Sequence, residues 1–131
     1  MLEYSNGTRH AQNEGLIAYA GTGSIFTIYS GAQPANANTA ITSQTPLVAL
    51  TISGVFGTDV NGTLTLGTVT SASASNSGTA SFFRIYKSDN TTVVMDGSVG
   101  TSGADLILND VNIVSGQSVA ISSGTIIRNN Q

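Results

Sequence analysis

Between Thr79 and Gly97 the chain reads TASFFRIYK, then SDN, then TTVVMDG. Two runs rich in β-branched and aromatic residues, joined by three polar residues, are the pattern of an antiparallel hairpin. Asp89 and Asn90 supply the turn chemistry, because their short side chains bond the local backbone and tolerate a left-handed conformation. Phe83 and Ile85 alternate with Phe82, Arg84 and Tyr86, so the first strand has one apolar face and one mixed face.

The same strand signals recur along most of the chain. SIFTIYSG (Ser24–Gly31) is β-branched and aromatic and stops at glycine, and AQPANANTAITSQTP (Ala32–Pro46) is a long polar connection holding both prolines. PLVALTISG (Pro46–Gly54) sets Leu47, Ala49 and Thr51 opposite Val48, Leu50 and Ile52. Asn61-Gly62 is a strong turn dipeptide, and it precedes TLTLGTVT (Thr63–Thr70), where leucines alternate with threonines. SASASNSG (Ser71–Gly78) reads as a loop. Further strands are expected at ADLIL (Ala104–Leu108), VNIV (Val111–Val114) and QSVAISSGTIIRN (Gln117–Asn129).

This spacing predicts an all-β domain over residues 21–131, an antiparallel β-sandwich, jelly-roll-like, of about seven to eight short strands. No long helix alternates with them, which argues against a parallel α/β sheet. Residues 1–20 are expected as an N-terminal arm. A short helix over roughly Arg9–Ala20 would put Leu16, Ile17 and Ala20 on one face, weakened by Gly15 inside it and by Gly21 and Gly23 at its end.

Composition narrows the function classes. Only 8% of the 131 residues are charged and the net charge is −3, against an average charged share near ~25%. No basic stripe is present, so nucleic acid is not an expected partner. The apolar runs fall far short of the ~20 residues that cross a bilayer, and MLEYSNGTRHAQNEG has no secretory pattern, so neither a membrane nor a leader is expected. Cysteine is absent, which excludes disulfides, thiol nucleophiles and Cys-based zinc sites. Solubility must rest on Ser, Thr, Asn and Gly, a surface suited to packing against other proteins.

Candidate chemistry is thin. His10, the single histidine, sits in the expected arm, a poor place for a Ser–His–Asp triad. Asp89, Asp96, Asp105 and Asp110 fall at strand ends or turns, where Asp caps backbone, and without Trp no aromatic platform accompanies a glycosidase pair. For calcium, Asp96 and Asp105 are the best available ligands, yet Ser98, Gly100 and Ser102 at the alternate positions lead to no closing Glu. GTGSIF (Gly21–Phe26) lacks the third glycine and the following helix of a dinucleotide loop. The Asn-X-Ser/Thr matches at Asn6, Asn61 and Asn90 carry no weight without a secretory pattern. Arg84 lies mid-strand with Phe82 and Tyr86 on its face, a stripe that reads equally as core or as an interface anchor; with Arg9 and His10 these are the interface candidates. No cofactor and no enzymatic activity are expected.

The run FFRIYKSDNTTVVMDGSVGTSGADLILNDVNIVSGQSVAISSGTI (Phe82–Ile126) resembles small virion-associated proteins of tailed bacteriophages. The shared elements are Ile28–Ala35, Phe56–Gly62, Phe83–Asn109 and Gly116–Ser122, so the resemblance covers most of the chain beyond Ser24. It implies a head decoration, or cement, protein: a jelly-roll-like sandwich on the capsid exterior, dimeric or trimeric, with the major capsid protein and copies of itself as partners. A tail, neck or fibre location, or a stand-alone calcium- or carbohydrate-binding sandwich, are the alternatives.

Overall fold

The computed structural model describes residues 2–121 and the backbone of residues 125–127. The expected strand Gln117–Asn129 therefore lies partly outside the described residues. One helix, α1 (Asn6–Ala20), precedes the strands. The strands are β1 (Ile25–Ser30), β2 (Thr45–Ile52), β3 (Gly57–Val60), β4 (Thr63–Leu66), β5 (Val69–Thr70) and β6 (Ala72–Ser73). They continue as β7 (Gly78–Thr79), β8 (Phe82–Tyr86), β9 (Val93–Gly100), β10 (Leu106–Ile107), β11 (Asn112–Ile113), β12 (Ser118–Val119) and β13 (Thr125–Ile127). The fold is all-β with an N-terminal helix, in more and shorter strands than expected.

A curled six-stranded sheet, ordered β10-β9-β8-β1-β2-β5, dominates the molecule. The β8–β9 hairpin is its centre of gravity, turning through Asn90 at φ 59° as the Asp-Asn dipeptide predicts. Three small sheets, β13-β4-β3, β11-β7 and β12-β6, complete the body. The first contains the Asn61-Gly62 turn, with both residues at positive φ (53° and 90°), as a type I′ hairpin needs. β6 and β7 lie in the run expected to be loop. Two-residue strands carry no periodicity, and only their partners β12 and β11 define them.

One pairing departs from the antiparallel plan. The chain doubles back over residues 101–105, so that Leu106 lies beside Val99 and Ile107 beside Gly100 in parallel. Parallel neighbours ordinarily need a crossover of about a dozen residues or more. Here Gly103 at φ 64° and a side-chain tie from Asp105 to Ser98 hold the shorter return.

The large sheet buries both faces of its central strands in different ways. On one face Phe26, Ile28, Val48, Leu50, Phe83 and Ile85 meet Leu64, Ile113 and Val119 from the smaller sheets and Ile121 just beyond β12, forming the hydrophobic core. Phe26 and Phe83 stack with centroids 4.6 Å apart. The Phe83 ring also lies over Gly97, its cross-strand neighbour, where an added Cβ would stand 2.3 Å from the ring. On the opposite face Thr27, Tyr29, Phe82 and Arg84 are buried as well.

Helix α1 starts three residues before the expected Arg9. Ser5 caps it, its Oγ accepting from the Thr8 N–H at 3.1 Å, and Gly21 at φ 71° closes it with an N–H to Ile17 O. Leu16, Ile17 and Ala20 face the body as the spacing predicts, and Asn13 extends the same stripe, fully buried. Gly15 is on the exposed side, where a Cβ would meet nothing. The segment expected as an arm is thus folded against β3 and β4.

Candidate functional site

The mixed face of the large sheet is organised by one ion pair. Arg84 and Asp96 are directly opposite each other in the β8–β9 register, so their side chains leave the sheet side by side. The contact is bidentate, Nε to Oδ1 at 2.6 Å and a terminal guanidinium nitrogen to Oδ2 at 2.8 Å. Both side chains are almost fully enclosed, at 2% and 6% exposure. The hydrogen bonds to Asp96 outweigh burial and hold the guanidinium still more firmly protonated. Beside the pair, Tyr29 stacks on Phe82 at 5.0 Å and its hydroxyl meets that of Tyr86 at 2.8 Å. Burial, then the bond to Tyr86, push the Tyr29 phenol well above its ordinary value.

A groove of about 460 Å³ opens over this face. Its floor is Arg84 and Tyr86, one wall is residues 37–41 of the long polar connection, another is residues 91–93, and Tyr19 of α1 stands at its side. Each wall has a local cause. Asn36 Oδ1 accepts from the Asn38 N–H at 2.9 Å, an Asx turn that shapes the first wall, and Gln44 Nε2 donates to Ala32 O at 2.7 Å, joining the ends of the connection. Asp89 Oδ1 accepts from the Thr91 and Thr92 N–H groups at 2.9 and 2.8 Å, which shapes the second. These bonds, with the Thr92 hydroxyl foremost, lower the Asp89 carboxyl to about 2. The Lys87 ammonium lies 3.9 Å from the Tyr19 ring centroid and holds the exposed ring in place.

A second polar cluster fastens α1 to the β3–β4 turn. Asp59 Oδ2 lies 2.6 Å from His10 Nδ1 and accepts the Gly62 N–H at 3.2 Å, while its Oδ1 accepts from Asn13 Nδ2. The Asp59 side chain is fully covered, and that of His10 is 49% exposed. Burial works to raise the Asp59 carboxyl, but the bonds from Asn13, His10 and Gly62 overcome it and leave the group below its ordinary value. Gly62 is required here twice over: its φ is 90°, and a Cβ would stand 2.9 Å from Arg9. Asn13 Oδ1 and Gln12 Oε1 are buried without hydrogen-bond partners in the same region.

The residues singled out in the sequence fall into three places. Phe82 and Arg84 are buried in the molecule's own second face, with Tyr86 half-buried at the groove floor. Arg9 and His10 belong to the docked helix, with Arg9 bonded to Asn6. Asp96 and Asp105, the calcium candidates, do not converge: Asp96 is taken by Arg84, and Asp105 Oδ2 accepts from the Ser98 N–H and hydroxyl at 2.9 and 3.1 Å. Among the described residues no group of three or more His, Asp or Glu is placed to hold a metal.

Asp59 escaped the sequence reading, which weighed four other aspartates. Its only local signal is its position two residues before an Asn-Gly turn. The partners that make it significant come from 46 and 49 residues earlier. His10 is held against a carboxylate, the orienting half of a triad, yet no hydroxyl is hydrogen-bonded to the imidazole among the described residues. The groove, by contrast, offers two tyrosine side chains, threonine hydroxyls and the Asn38 amide. Comparison with protein-family models, curated proteins and solved structures returned no match to this chain.

Proposed function

We propose that the chain is a non-enzymatic structural protein of a tailed-phage particle, a head decoration protein on the capsid exterior that bridges neighbouring capsid subunits. The observation that carries this reading is the surface: among the described residues six large apolar side chains, Leu2, Tyr19, Val55, Val60, Ile107 and Val114, stand exposed on a chain with few charges. Isolated exposed apolar residues are ordinary. Here they combine with Ser- and Thr-rich strands and little electrostatic repulsion to favour packing against a neighbour. Copies of the chain on a lattice add many modest contacts into firm attachment. The resemblance of Phe82–Ile126 to phage virion proteins supports the particle as the setting, with the major capsid protein and further copies as the partners.

Mass-spectrometric counting and electron cryomicroscopy of purified particles test this. The expected result is a copy number in fixed proportion to the capsid subunits, with density on the outer shell. A handful of copies at the neck, tail or fibres would move the protein to another part of the virion, and absence from the particle would refute the proposal.

A further inference from the structure

We infer that the groove over Arg84 and Tyr86 is a binding site for a neutral saccharide of one or two rings. Its volume of about 460 Å³ lies within the ~300–1,000 Å³ of small-molecule sites, and its walls mix polar groups with the aliphatic side chains of Ala37, Ala40, Ile41 and Val93. A ligand that fits must therefore be rich in hydrogen-bonding groups while still offering some apolar surface. A sugar ring is such a ligand, with hydroxyls around its rim and a patch of C–H groups on its face.

The lining supplies both complements. Tyr19 projects its ring from the helix at 53% exposure, fixed by the Lys87 ammonium. Lys87 covers one face of the ring, and it is the opposite negative face that would attract the slightly positive C–H groups of a sugar. Around it stand the Asn38 amide, the Thr39 and Thr92 hydroxyls, whose protons go to Asn36 and Asp89 while their oxygens still accept, and the Tyr86 phenol paired with Tyr29. These groups sit on turns already fixed by Asn36 and Asp89, so little ordering remains to be done on binding.

Charge decides between neutral and acidic sugars. Arg84 is the cation in the floor, but Asp96 already occupies its bidentate edge, and Asp89 lies beside the wall formed by residues 91–93. An acidic sugar would find the guanidinium neutralised by Asp96 and the Lys87 ammonium already seated on the Tyr19 ring. This inference stands apart from the capsid role, since a saccharide can be bound by the isolated chain.

The test is a ¹⁵N NMR titration of the full chain with N-acetylglucosamine, lactose and maltose, alongside glucuronic acid and N-acetylneuraminic acid. Saturable shifts of the Tyr19, Asn38, Thr39 and Thr92 amides with at least one neutral sugar are expected. Tyr19→Ala, at an exposed ring, should weaken that binding tenfold or more with the rest of the spectrum preserved, and Asn38→Ala should weaken it severalfold. No saturable shift with any neutral sugar, shifts elsewhere, or binding unchanged in both variants would overturn the inference. So would a response confined to the acidic sugars. A silent titration leaves the particle count untouched, and the reverse also holds.

Discussion

Among the described residues two carboxylates are held by cationic or imidazole side chains, and they are built for different purposes. Asp96 meets Arg84 across adjacent strands of one sheet, where backbone register fixes both residues and burial shields both. Asp59 gathers His10 and Asn13 from a helix and Gly62 from a turn, with no backbone register between helix and strand to enforce the contact. The first pair is part of the sheet's construction. The second is a clasp between two separately formed pieces, and its imidazole side is open to water. Burial without register makes a joint that can open alone. Burial with register makes one that opens only when the fold does.

The largest effect is expected from breaking the sheet pair. Asp96→Ala strands the guanidinium in a dry site and should cost about 3–5 kcal/mol in urea unfolding. Replacing both partners, as in Arg84→Met with Asp96→Leu, should cost clearly less, because no unpaired charge remains. Equal losses would mean that the bidentate geometry itself holds the β8–β9 face. Gly97→Ala comes next, since the new methyl must displace the Phe83 ring from the core side of the same strands. Overpacking of this kind costs about 1–3 kcal/mol, read from the same unfolding midpoints.

On the clasp side the effects are smaller and local. Asp59→Asn removes the charge that His10, Asn13 and Gly62 converge on, and should raise hydrogen exchange across α1 while the sheet amides keep their protection. The pH dependence has a fixed sign. Folding lowers the Asp59 and Asp89 carboxyls, so each contributes stability that is fully present above the ordinary value near 3.8 and lost as the pH falls through the folded value. For Asp89 the loss runs from about 3.8 down to about 2. In Asp59→Asn the acid sensitivity of α1 should disappear and that of the β8–β9 turn should remain. The smallest change is a gain: Gly15→Ala fills open space on the helix and should stabilise α1 by about 0.5–1 kcal/mol, seen as a higher melting temperature.

Legibility in the sequence followed the same division. The strands β2, β4 and β8 carry their own alternation, β1 and β9 their β-branched and aromatic content, and the turns at Asn61-Gly62 and Asp89-Asn90 their own backbone chemistry, so each was visible in a short window. The FxRxY stripe was visible as a stripe, but its fate depended on residues 37–41 folding toward that face, which no periodicity encodes. The parallel return after Gly100 was hidden because a five-residue connection reads as an antiparallel turn until Asp105 is seen bonded to Ser98. The helix was underestimated at its start, where Ser5 caps it, and the docking partner Asp59 lies too far along the chain for local pattern to connect them.

Native-state amide hydrogen exchange at pH 7 and pH 3 tests the central contrast most directly, on one sample and residue by residue. The account predicts that α1 amides exchange through a local opening that becomes easier at pH 3 by more than the whole fold does. The amides of β1 and β8 should exchange only through global unfolding at both values. If α1 and the two strands show the same opening free energy and the same response to acid, the helix is as much a part of the locked sheet as Arg84 and Asp96, and the clasp is not a separable joint.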